Sequence, residues 1–382
     1  MCVANRAWET MQHRRLGRTG LPVSVIGLGT EYLLDVPRAR AIDVVRRAIG
    51  AGVNYFDLFY AQPAFRDTMA EAFEGLRERV VLTAHLGAGE RDGQYERIRD
   101  QDRCAAYIED NLRRYRTDCV DVLFLHNCDE ADDCDAIFAP GGLANMAEGF
   151  RQEGKARFIG FSTHTIATAQ RAIGTERVDV LMFPINLTGH GTPGRRELFE
   201  DCLDRGIGLV GMKPYAGGKL LQAQPELTLG RVATGGPSLE VDCQAVTPVQ
   251  CLAYAIAQPG VSTVVPGCSD LSQLEDALAW LSADDATRDF SAALAGFGRF
   301  SAGECVYCNH CLPCPAGIDI GAVMRLLDRA RVEVTAALRD GHAALPANAS
   351  DCRQCGACTP RCPFGVDPAK AMEEAARLLV DS

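Results

Sequence analysis

Two runs of closely spaced cysteines near the end of the sequence have the pattern of metal-cluster ligands. The first contains Cys305, Cys308, Cys311 and Cys314, with two residues between neighbours, and the second contains Cys352, Cys355, Cys358 and Cys362. Three thiolates at this spacing wrap one [4Fe–4S] cube, and a fourth cysteine followed by proline typically ligates the other cube. The pattern therefore predicts two [4Fe–4S] clusters, one bound by Cys305, Cys308, Cys311 and Cys362 and the other by Cys352, Cys355, Cys358 and Cys314.

Zinc is the alternative metal for these cysteines. Structural zinc sites usually carry two pairs of cysteines, whereas here four cysteines fall within ten residues and a proline follows them. His310 lies inside the first run, and we expect it to be a solvated neighbour and not a ligand. Two adjacent clusters would carry electrons, although clusters can also simply stabilise a small domain that has a limited core.

A second group of polar residues lies earlier in the chain and has the chemistry of acid–base catalysis. A histidine beside a carboxylate can hold and transfer a proton near neutral pH. The group consists of Asp57, His85, His126, Ser162, Asn186 and Lys213. Each stands at the end of an apolar run, so all of them would meet at one mouth if the runs are the strands of a barrel.

The apolar runs alternate with amphipathic segments, which is the pattern of repeated βα units. The runs are typical of parallel strands buried on both faces. They lie at 23–29, 53–59, 80–86, 119–127, 156–163, 178–186, 206–214 and 261–268, and the amphipathic segments include 38–50, 102–115, 195–205 and 271–281. Eight units in about 260 residues predict an α/β fold, the (β/α)8 TIM barrel. A doubly wound sheet is the alternative, but it rarely contains eight units this regular.

Changes of pattern along the chain predict four regions. Residues 1–13 form an N-terminal tail, 14–282 the barrel, 283–303 a helical linker, and 304–382 a small helical ferredoxin-like domain with the two clusters. The long connection at 215–246 is either a lid over the barrel mouth or a surface excursion.

The composition argues against several classes of protein. The chain has 382 residues, 47% of them hydrophobic, and a formal charge of −11, which disfavours disorder and a nucleic-acid partner. No apolar run approaches the roughly 20 residues that a membrane span needs. With 17 cysteines and no recognisable export signal, we expect a cytoplasmic protein whose thiols stay reduced.

Five segments of the predicted barrel resemble the aldo-keto reductase family. They lie at 14–30, 120–127, 156–164, 206–220 and 261–278, and the cysteine-rich tail resembles the subgroup of that family with a C-terminal ferredoxin-like domain. The resemblance implies a barrel that reduces carbonyl compounds with NAD(P)H. It also implies a catalytic Asp, Tyr, Lys and His, in which the Tyr donates a proton, the Lys–Asp pair lowers the Tyr pKa and the His orients the substrate.

Two of these four catalytic positions carry the residue that the resemblance implies. Asp57 matches the Asp and His126 the His, whereas His85 occupies the Lys position and Gln62 the Tyr position. A protonated His85 would replace the Lys electrostatically or donate the proton itself. Tyr60, two residues before Gln62, is the other candidate donor. The predicted catalytic residues are therefore Asp57, Tyr60, His85 and His126.

The nicotinamide pocket that the resemblance implies is also altered. Ser162 and Asn186 match family residues near the nicotinamide. Met182 and Met212 occupy the positions of a glutamine and of the aromatic residue that would stack on the ring.

The last loop of the barrel would bind the other end of such a cofactor. It offers Ser269 and Gln273 but no Lys or Arg for a 2′-phosphate, which favours NADH over NADPH. Lys213 would contact a cofactor phosphate or a substrate carboxylate. Gly27 and Gly29 lack the third glycine of a dinucleotide-binding fingerprint.

These observations predict an iron–sulfur oxidoreductase that acts on a small organic substrate, of carbonyl type or related, and whose two clusters transfer electrons. A flavoprotein or a ferredoxin would be its redox partner. One alternative is a non-redox lyase, dehydratase or isomerase that uses Asp57, His85 and Tyr60 as acid and base. The other is a non-enzymatic electron-transfer subunit.

Overall fold

The structure of the chain, a computed structural model, divides into two compact units. It describes residues 11–190, 192–222, 246–291, 293, 305, 309, 311–332, 334–362 and 365–380. The first unit contains the described residues up to 89, from 97 to 222 and from 246 to 293, and the second contains residues 90–96 and those from 305 onwards. Most of the predicted tail, most of the 215–246 connection and Cys308 lie outside the described residues.

Eight parallel strands form the main sheet of the first unit. The strands of the described residues are β1 (His13–Arg15), β2 (Pro22–Ser24), β3 (Leu28–Gly29), β4 (Tyr55–Asp57), β5 (Val81–Leu86), β6 (Ala88–Arg91), β7 (Gln94–Arg97), β8 (Val120–Leu125), β9 (Ala156–Ser162), β10 (Val180–Pro184), β11 (Gly208–Met212) and β12 (Val261–Val265). The sheet has the order β3-β4-β5-β8-β9-β10-β11-β12. Parallel bridges from Ile26 to Val264 and from Gly29 to Gly267 join its two ends. The predicted (β/α)8 barrel is thus confirmed.

Helices follow the barrel strands and bury their apolar faces. In the first unit they are α1 (Arg38–Gly50), α2 (Pro63–Ala72), α3 (Gln101–Tyr115), α4 (Ala131–Phe138), α5 (Leu143–Gln152), α6 (Ile166–Gly174), α7 (Arg195–Asp204), α8 (Pro248–Ile256), α9 (Leu271–Leu278) and α10 (Asp285–Arg288). Helix α3 illustrates why a helix forms at such a position in the sequence. The Asp100 side chain accepts the N–H of Arg103 as its cap, and Cys104, Ile108 and Leu112 are buried at helical spacing.

Two antiparallel hairpins differ from the strands that the sequence predicts. The predicted strand 23–29 is divided, because β2 pairs with β1 while only β3 joins the barrel. Strands β6 and β7 form a second hairpin, between β5 and α3. Its turn contains Asp92 and Gly93 with φ of +53° and +81°. An Asp-Gly pair favours such a turn, so this signal could have found the hairpin.

Apolar side chains fill the interior of the barrel. The buried cluster contains Leu16, Leu21, Val23, Tyr55, Val81, Val122, Phe124, Val180, Met182, Val210, Met212 and Val265. The first three come from the hairpin of β1 and β2, which explains why this segment leaves the barrel sheet. Since the interior is packed, the carboxyl ends of the strands are where a site can form.

Three helices organise the described part of the second unit. They are α11 (Ile320–Val332), α12 (Ala336–Ala343) and α13 (Pro368–Leu379). Helices α11 and α13 pack together and are joined by an ion pair between Arg331 and Glu374, with 2.6 Å between Nη2 and Oε2. Asp367 caps α13 and also accepts the Thr359 hydroxyl. None of the described helices is long and apolar enough to cross a membrane.

Candidate active site and cluster ligands

Three side chains at the carboxyl ends of neighbouring strands form a hydrogen-bonded chain. Asp57 ends β4, His85 is the penultimate residue of β5, and His126 directly follows β8. Nε2 of His85 lies 2.9 Å from Oδ1 of Asp57, and Nδ1 of His85 lies 2.8 Å from Nδ1 of His126. His85 therefore bridges a carboxylate and a second imidazole. We call these residues the Asp–His–His relay.

Aromatic rings hold both imidazoles of this relay. Phe124 stacks on His85 with 4.9 Å between ring centroids, and Phe59 stacks on His126 at 5.6 Å. The relay residues and Phe124 are buried, whereas Phe59 is partly exposed. The sequence analysis did not select Phe59. Its position two residues after Asp57, on the loop that must border the site, is the signal that could have found it.

Hydrogen-bonding rules fix how protons can be arranged in the Asp–His–His relay. A carboxylate only accepts, so Nε2–H of His85 donates to Asp57. The contact between the two Nδ1 atoms needs one hydrogen, which either ring can carry. Burial and the neighbouring His85 hold the pKa of His126 well below its usual range. When His85 carries the extra proton of the pair, its Nδ1–H donates to His126, and the hydrogen of His126 then lies on Nε2.

The backbone after His126 is fixed in the left-handed region. Asn127 has a φ of +42°, and its N–H donates to Oγ of Ser162 at 2.9 Å. Arg97 and Arg99 both donate to the Asn127 carbonyl, at 3.3 and 2.9 Å. Such a conformation costs on the order of 1 kcal/mol outside glycine. These three hydrogen bonds hold it and so orient the preceding imidazole.

Tyr60, the other predicted proton donor, lies among aromatic side chains. Its ring packs against Phe59 with 4.2 Å between centroids and edge-on against Phe65 at 5.5 Å. Its carbonyl accepts Nε–H of Arg66. Gln62 is buried at the N-cap of α2. The packing places Tyr60 in the wall beside the relay.

A second hydrogen-bonded chain lies at the ends of the following strands. Nδ1 of His164 lies 3.1 Å from Oδ2 of Asp129, and Nε2 of His164 lies 3.0 Å from Nζ of Lys213. Burial lowers the pKa of His164. Burial opposes ionisation of Asp129, but the charge and hydrogen bonds of His164 outweigh it, so the Asp129 pKa is also lowered. We call these residues the Asp–His–Lys relay, of which the sequence analysis selected only Lys213.

The side chains predicted to lie near a nicotinamide are engaged with their own chain. Oγ of Ser162 accepts the Asn127 N–H. The Asn186 amide donates to the Lys213 carbonyl at 2.9 Å and accepts the Thr188 hydroxyl at 2.5 Å. The polar groups expected to recognise the carboxamide thus already have partners within the barrel.

The other residues predicted to contact the cofactor also make contacts within the chain. Met182 and Met212 belong to the buried core of the barrel. The Ser269 N–H donates to Oε1 of Gln273 at the start of α9. Met182 and Met212 carry neither the side-chain amide nor the aromatic ring that the family resemblance implies for holding a nicotinamide, so we derive no hydride transfer from this pocket.

Four of the predicted cluster ligands line one cavity in the second unit. Cys314 comes from the first cysteine run, and Cys352, Cys355 and Cys358 come from the second. The cavity is partly open to solvent, and apolar side chains such as Met372 form its other walls. No three described Cys, His, Asp or Glu side chains converge closely enough to hold a metal ion as they stand, but the four cysteines that line this space supply the ligand number of a [4Fe–4S] cluster. They are the four residues that the sequence pattern assigns to one cluster.

The other predicted ligand set is described in part. Arg361, next to Cys362, donates to the carbonyls of Cys311 and Pro313 at 3.4 and 2.8 Å. The Arg361 side chain thus joins the second run to the first, while the ligand set itself stays a prediction. Cys305 is partly buried, and Cys308 lies outside the described residues.

Gln94, in β7, supports one of these cysteines within the second unit. Its Oε1 accepts the Cys314 N–H at 3.2 Å, and its Nε2 donates to the Cys314 carbonyl at 3.3 Å. Because 219 residues separate the two positions in the chain, no local pattern could have revealed this contact.

Comparison with known proteins agrees with this architecture. The aldo/keto reductase family model matches residues 25–230, and the 4Fe-4S dicluster domain model matches residues 304–367. L-galactose dehydrogenase of Arabidopsis thaliana is 28% identical over 291 residues, which cover 70% of this chain and 86% of that protein. The uncharacterized oxidoreductase YqkF of Bacillus subtilis (strain 168) is 26% identical over 287 residues, which cover 70% of this chain and 90% of that protein.

Solved structures show the same fold. The aldo-keto reductase AKR11C1 from Bacillus halodurans, in its holo form, is 20% identical with a TM-score of 0.60, and the match covers 76% of this chain and 98% of that one. A putative aldo-keto reductase from Pseudomonas aeruginosa is 21% identical with a TM-score of 0.57, covering 74% and 99%.

The family model covers more than half of the chain. The protein therefore belongs to the aldo/keto reductase family, is an oxidoreductase, and carries a C-terminal 4Fe-4S dicluster domain. The family and subgroup that the sequence resembled are confirmed.

Proposed function

We propose that this protein reduces a small carbonyl-type substrate at the barrel mouth and that His126 donates the proton. The observation that carries the proposal is the continuous hydrogen-bonded chain from Asp57 through His85 to His126. Two imidazoles that pass a proton between them would do the work that the family resemblance assigns to the Tyr and the Lys.

The proton transfer follows from the arrangement of hydrogens described above. As negative charge develops on the carbonyl oxygen, Nε2–H of His126 donates its proton to that oxygen. The Nδ1 proton of His85 moves to Nδ1 of His126, and His85 becomes neutral while it still donates to Asp57. Asp57 stays ionised throughout and stabilises the imidazolium form of His85. A proton from solvent then restores the relay.

The electrons have a separate origin in this proposal. Reduction of a carbonyl to an alcohol consumes two electrons and two protons, of which the relay supplies one proton and solvent the other. The eight cysteines of the two runs would hold two [4Fe–4S] clusters, and such clusters would supply single electrons. A reduced ferredoxin or flavoprotein would be the donor, since Met182 and Met212 lack the amide and the aromatic ring that the family resemblance implies for a nicotinamide.

The test is an anaerobic assay of the cluster-replete protein. Reduced methyl viologen serves as electron donor, small aldehydes and ketones as substrates, and loss of viologen absorbance as the signal. We expect turnover by the unchanged protein and a loss of about 100-fold or more in His126→Gln, the usual contribution of a general acid. His190→Gln is the matched control, because His190 bonds to Tyr254 outside the relay.

Three results would contradict the proposal. Equal rates in His126→Gln and His190→Gln would remove His126 as the proton donor. Turnover with NADH or NADPH in place of viologen would show that electrons do not need to enter through the clusters. Conversion of the substrate without any electron donor would favour the lyase or isomerase alternative.

A further inference from the structure

We infer that the Asp–His–Lys relay binds a carboxylate of the substrate through the ammonium group of Lys213. The inference rests on the proposed function and names the class of its substrate, a small oxo acid. Nothing in the comparisons assigns a role to Asp129, His164 or Lys213.

Lys213 is held at both its backbone and its side chain. Its φ of +55° lies in the left-handed region, where its carbonyl accepts the Asn186 amide at 2.9 Å. Its Nζ lies 3.0 Å from Nε2 of His164. Fixing a lysine side chain costs conformational entropy, and non-glycine residues in this region of φ are typical of functional sites. A lysine that only keeps the surface soluble needs neither restraint.

The direction of each hydrogen bond leaves the ammonium able to bind an anion. Since Asp129 accepts from Nδ1–H of His164, Nε2 of the neutral imidazole carries a lone pair and accepts one hydrogen from Lys213. An ammonium group has three hydrogens, so two remain for a ligand. Lys213 is partly exposed, whereas His164 is largely buried. Asp129 and His164 thus hold the Lys213 ammonium where the site meets solvent.

The charge of the Asp–His–Lys relay favours a carboxylate over a phosphate. The His164 ring separates the Asp129 carboxylate from the Lys213 ammonium, so the site offers one cation, which matches the single charge of a carboxylate better than the two charges of a phosphate. Phosphate groups are usually bound by guanidinium forks. The arginines of the neighbouring loop, Arg97 and Arg99, form ion pairs with Asp133 at 3.6 and 2.7 Å instead.

The two relays lie at the same end of adjacent strands. The Cys128 N–H, two residues after His126, donates to the Ser162 carbonyl, two residues before His164, at 3.0 Å. A carboxylate on Lys213 would therefore be held in the mouth in which His126 donates its proton.

The test compares two small ligands of nearly the same shape, pyruvate and butane-2,3-dione, of which only pyruvate is charged. Binding to the full-length, cluster-replete protein is measured anaerobically by calorimetry without any electron donor. We expect pyruvate to bind at least about tenfold more tightly than the dione, which corresponds to about 1.4 kcal/mol. Lys213→Met should abolish the preference and Lys213→Arg should keep part of it. Lys155→Met, at the amino end of β9, should keep all of it.

Several outcomes would overturn the inference. Equal binding of the two ligands, or no binding of pyruvate in the millimolar range, would show that no carboxylate site exists. An unchanged preference in Lys213→Met would show that Lys213 is not the group that binds. Displacement of pyruvate by pyrophosphate at a concentration lower than that of pyruvate would indicate a phosphate site. Because no electrons are supplied, the result does not depend on turnover. His126→Gln should retain the preference for pyruvate, so a failure of the proposed reduction and a failure of this site are distinguishable.

Discussion

At the scale of single residues, a histidine at position 85, where the family resemblance implies a lysine, changes what the site can do. A lysine ammonium supplies a charge, whereas an imidazole accepts a proton on one nitrogen and releases another from the second. The sequence could place Asp57, His85 and His126 at strand ends, because each ends an apolar run. It could not show that the two Nδ1 atoms face each other, since packing on Phe124 and Phe59 sets the ring orientations.

Stability should fall in acid because buried histidines resist protonation. Burial lowers the pKa of His164 in the folded protein below its unfolded value of about 6.5. As the pH falls through that value, the unfolded chain binds more protons than the folded one. The contribution of His164 to the free energy of unfolding is therefore fully present above pH 6.5. Below that pH it decreases by at most about 1.4 kcal/mol per pH unit.

Urea unfolding followed by circular dichroism between pH 7 and pH 5 measures this loss. His164→Gln should show a shallower decrease of the unfolding free energy than the unchanged protein. His13→Gln, at an exposed position, is the control and should keep the original slope. Identical slopes in the two variants would show that His164 does not contribute.

At the scale of elements, the turn from β5 into the β6–β7 hairpin depends on a glycine. Gly87 has a φ of +109°, and a Cβ there would lie 2.7 Å from Nη1 of Arg99 and 3.5 Å from Cβ of His126. We expect Gly87→Ala to destabilise the barrel by about 1–3 kcal/mol, because strain and a clash combine. It should also shift the NMR signals of the His126 ring.

Gly93 offers a matched control for this substitution. It also has a positive φ, of +81°, but a Cβ there would meet no atom within 4 Å. Gly93→Ala should therefore cost less stability and leave the His126 signals unchanged. Equal effects of the two substitutions would mean that backbone strain alone, and not the approach to Arg99 and His126, explains the loss.

Most elements could be predicted because their signals are local. The amphipathic segment 38–50 corresponds to α1, and the apolar run 80–86 corresponds to β5 with a difference of one residue. The two hairpins differ from the prediction for different reasons. Strands β1 and β2 are set by burial of Leu16, Leu21 and Val23 against distant strands. The second hairpin had a local signal, its Asp-Gly turn.

At the scale of the whole molecule, the two cysteine runs are the strongest sequence signal, because ligand spacing alone defines them. Assignment of the runs to two clusters stays a prediction that ligand substitution can test. We expect Cys314→Ser and Cys352→Ser to alter the same electron paramagnetic resonance signal of the reduced protein, since both line one cavity. Cys311→Ser should alter the other signal.

The control for cluster assignment is a cysteine outside both runs. Cys202 is buried in α7, where burial raises its pKa to about 12, so Cys202→Ser should leave both signals unchanged. If Cys314→Ser instead alters the signal that Cys311→Ser alters, each run binds its own cluster. The cavity formed by both runs would then need another explanation.

The Asp–His–His relay is tested most directly by 15N NMR of histidine-labelled protein as the pH is lowered. We expect the two Nδ1 signals of His85 and His126 to change together as one proton enters the pair, with the added charge on His85. In Asp57→Asn, which removes the carboxylate partner, this shared change should be lost. Independent titration of the two rings, or the same joint behaviour in Asp57→Asn, would contradict a proton relay that runs from Asp57 to His126.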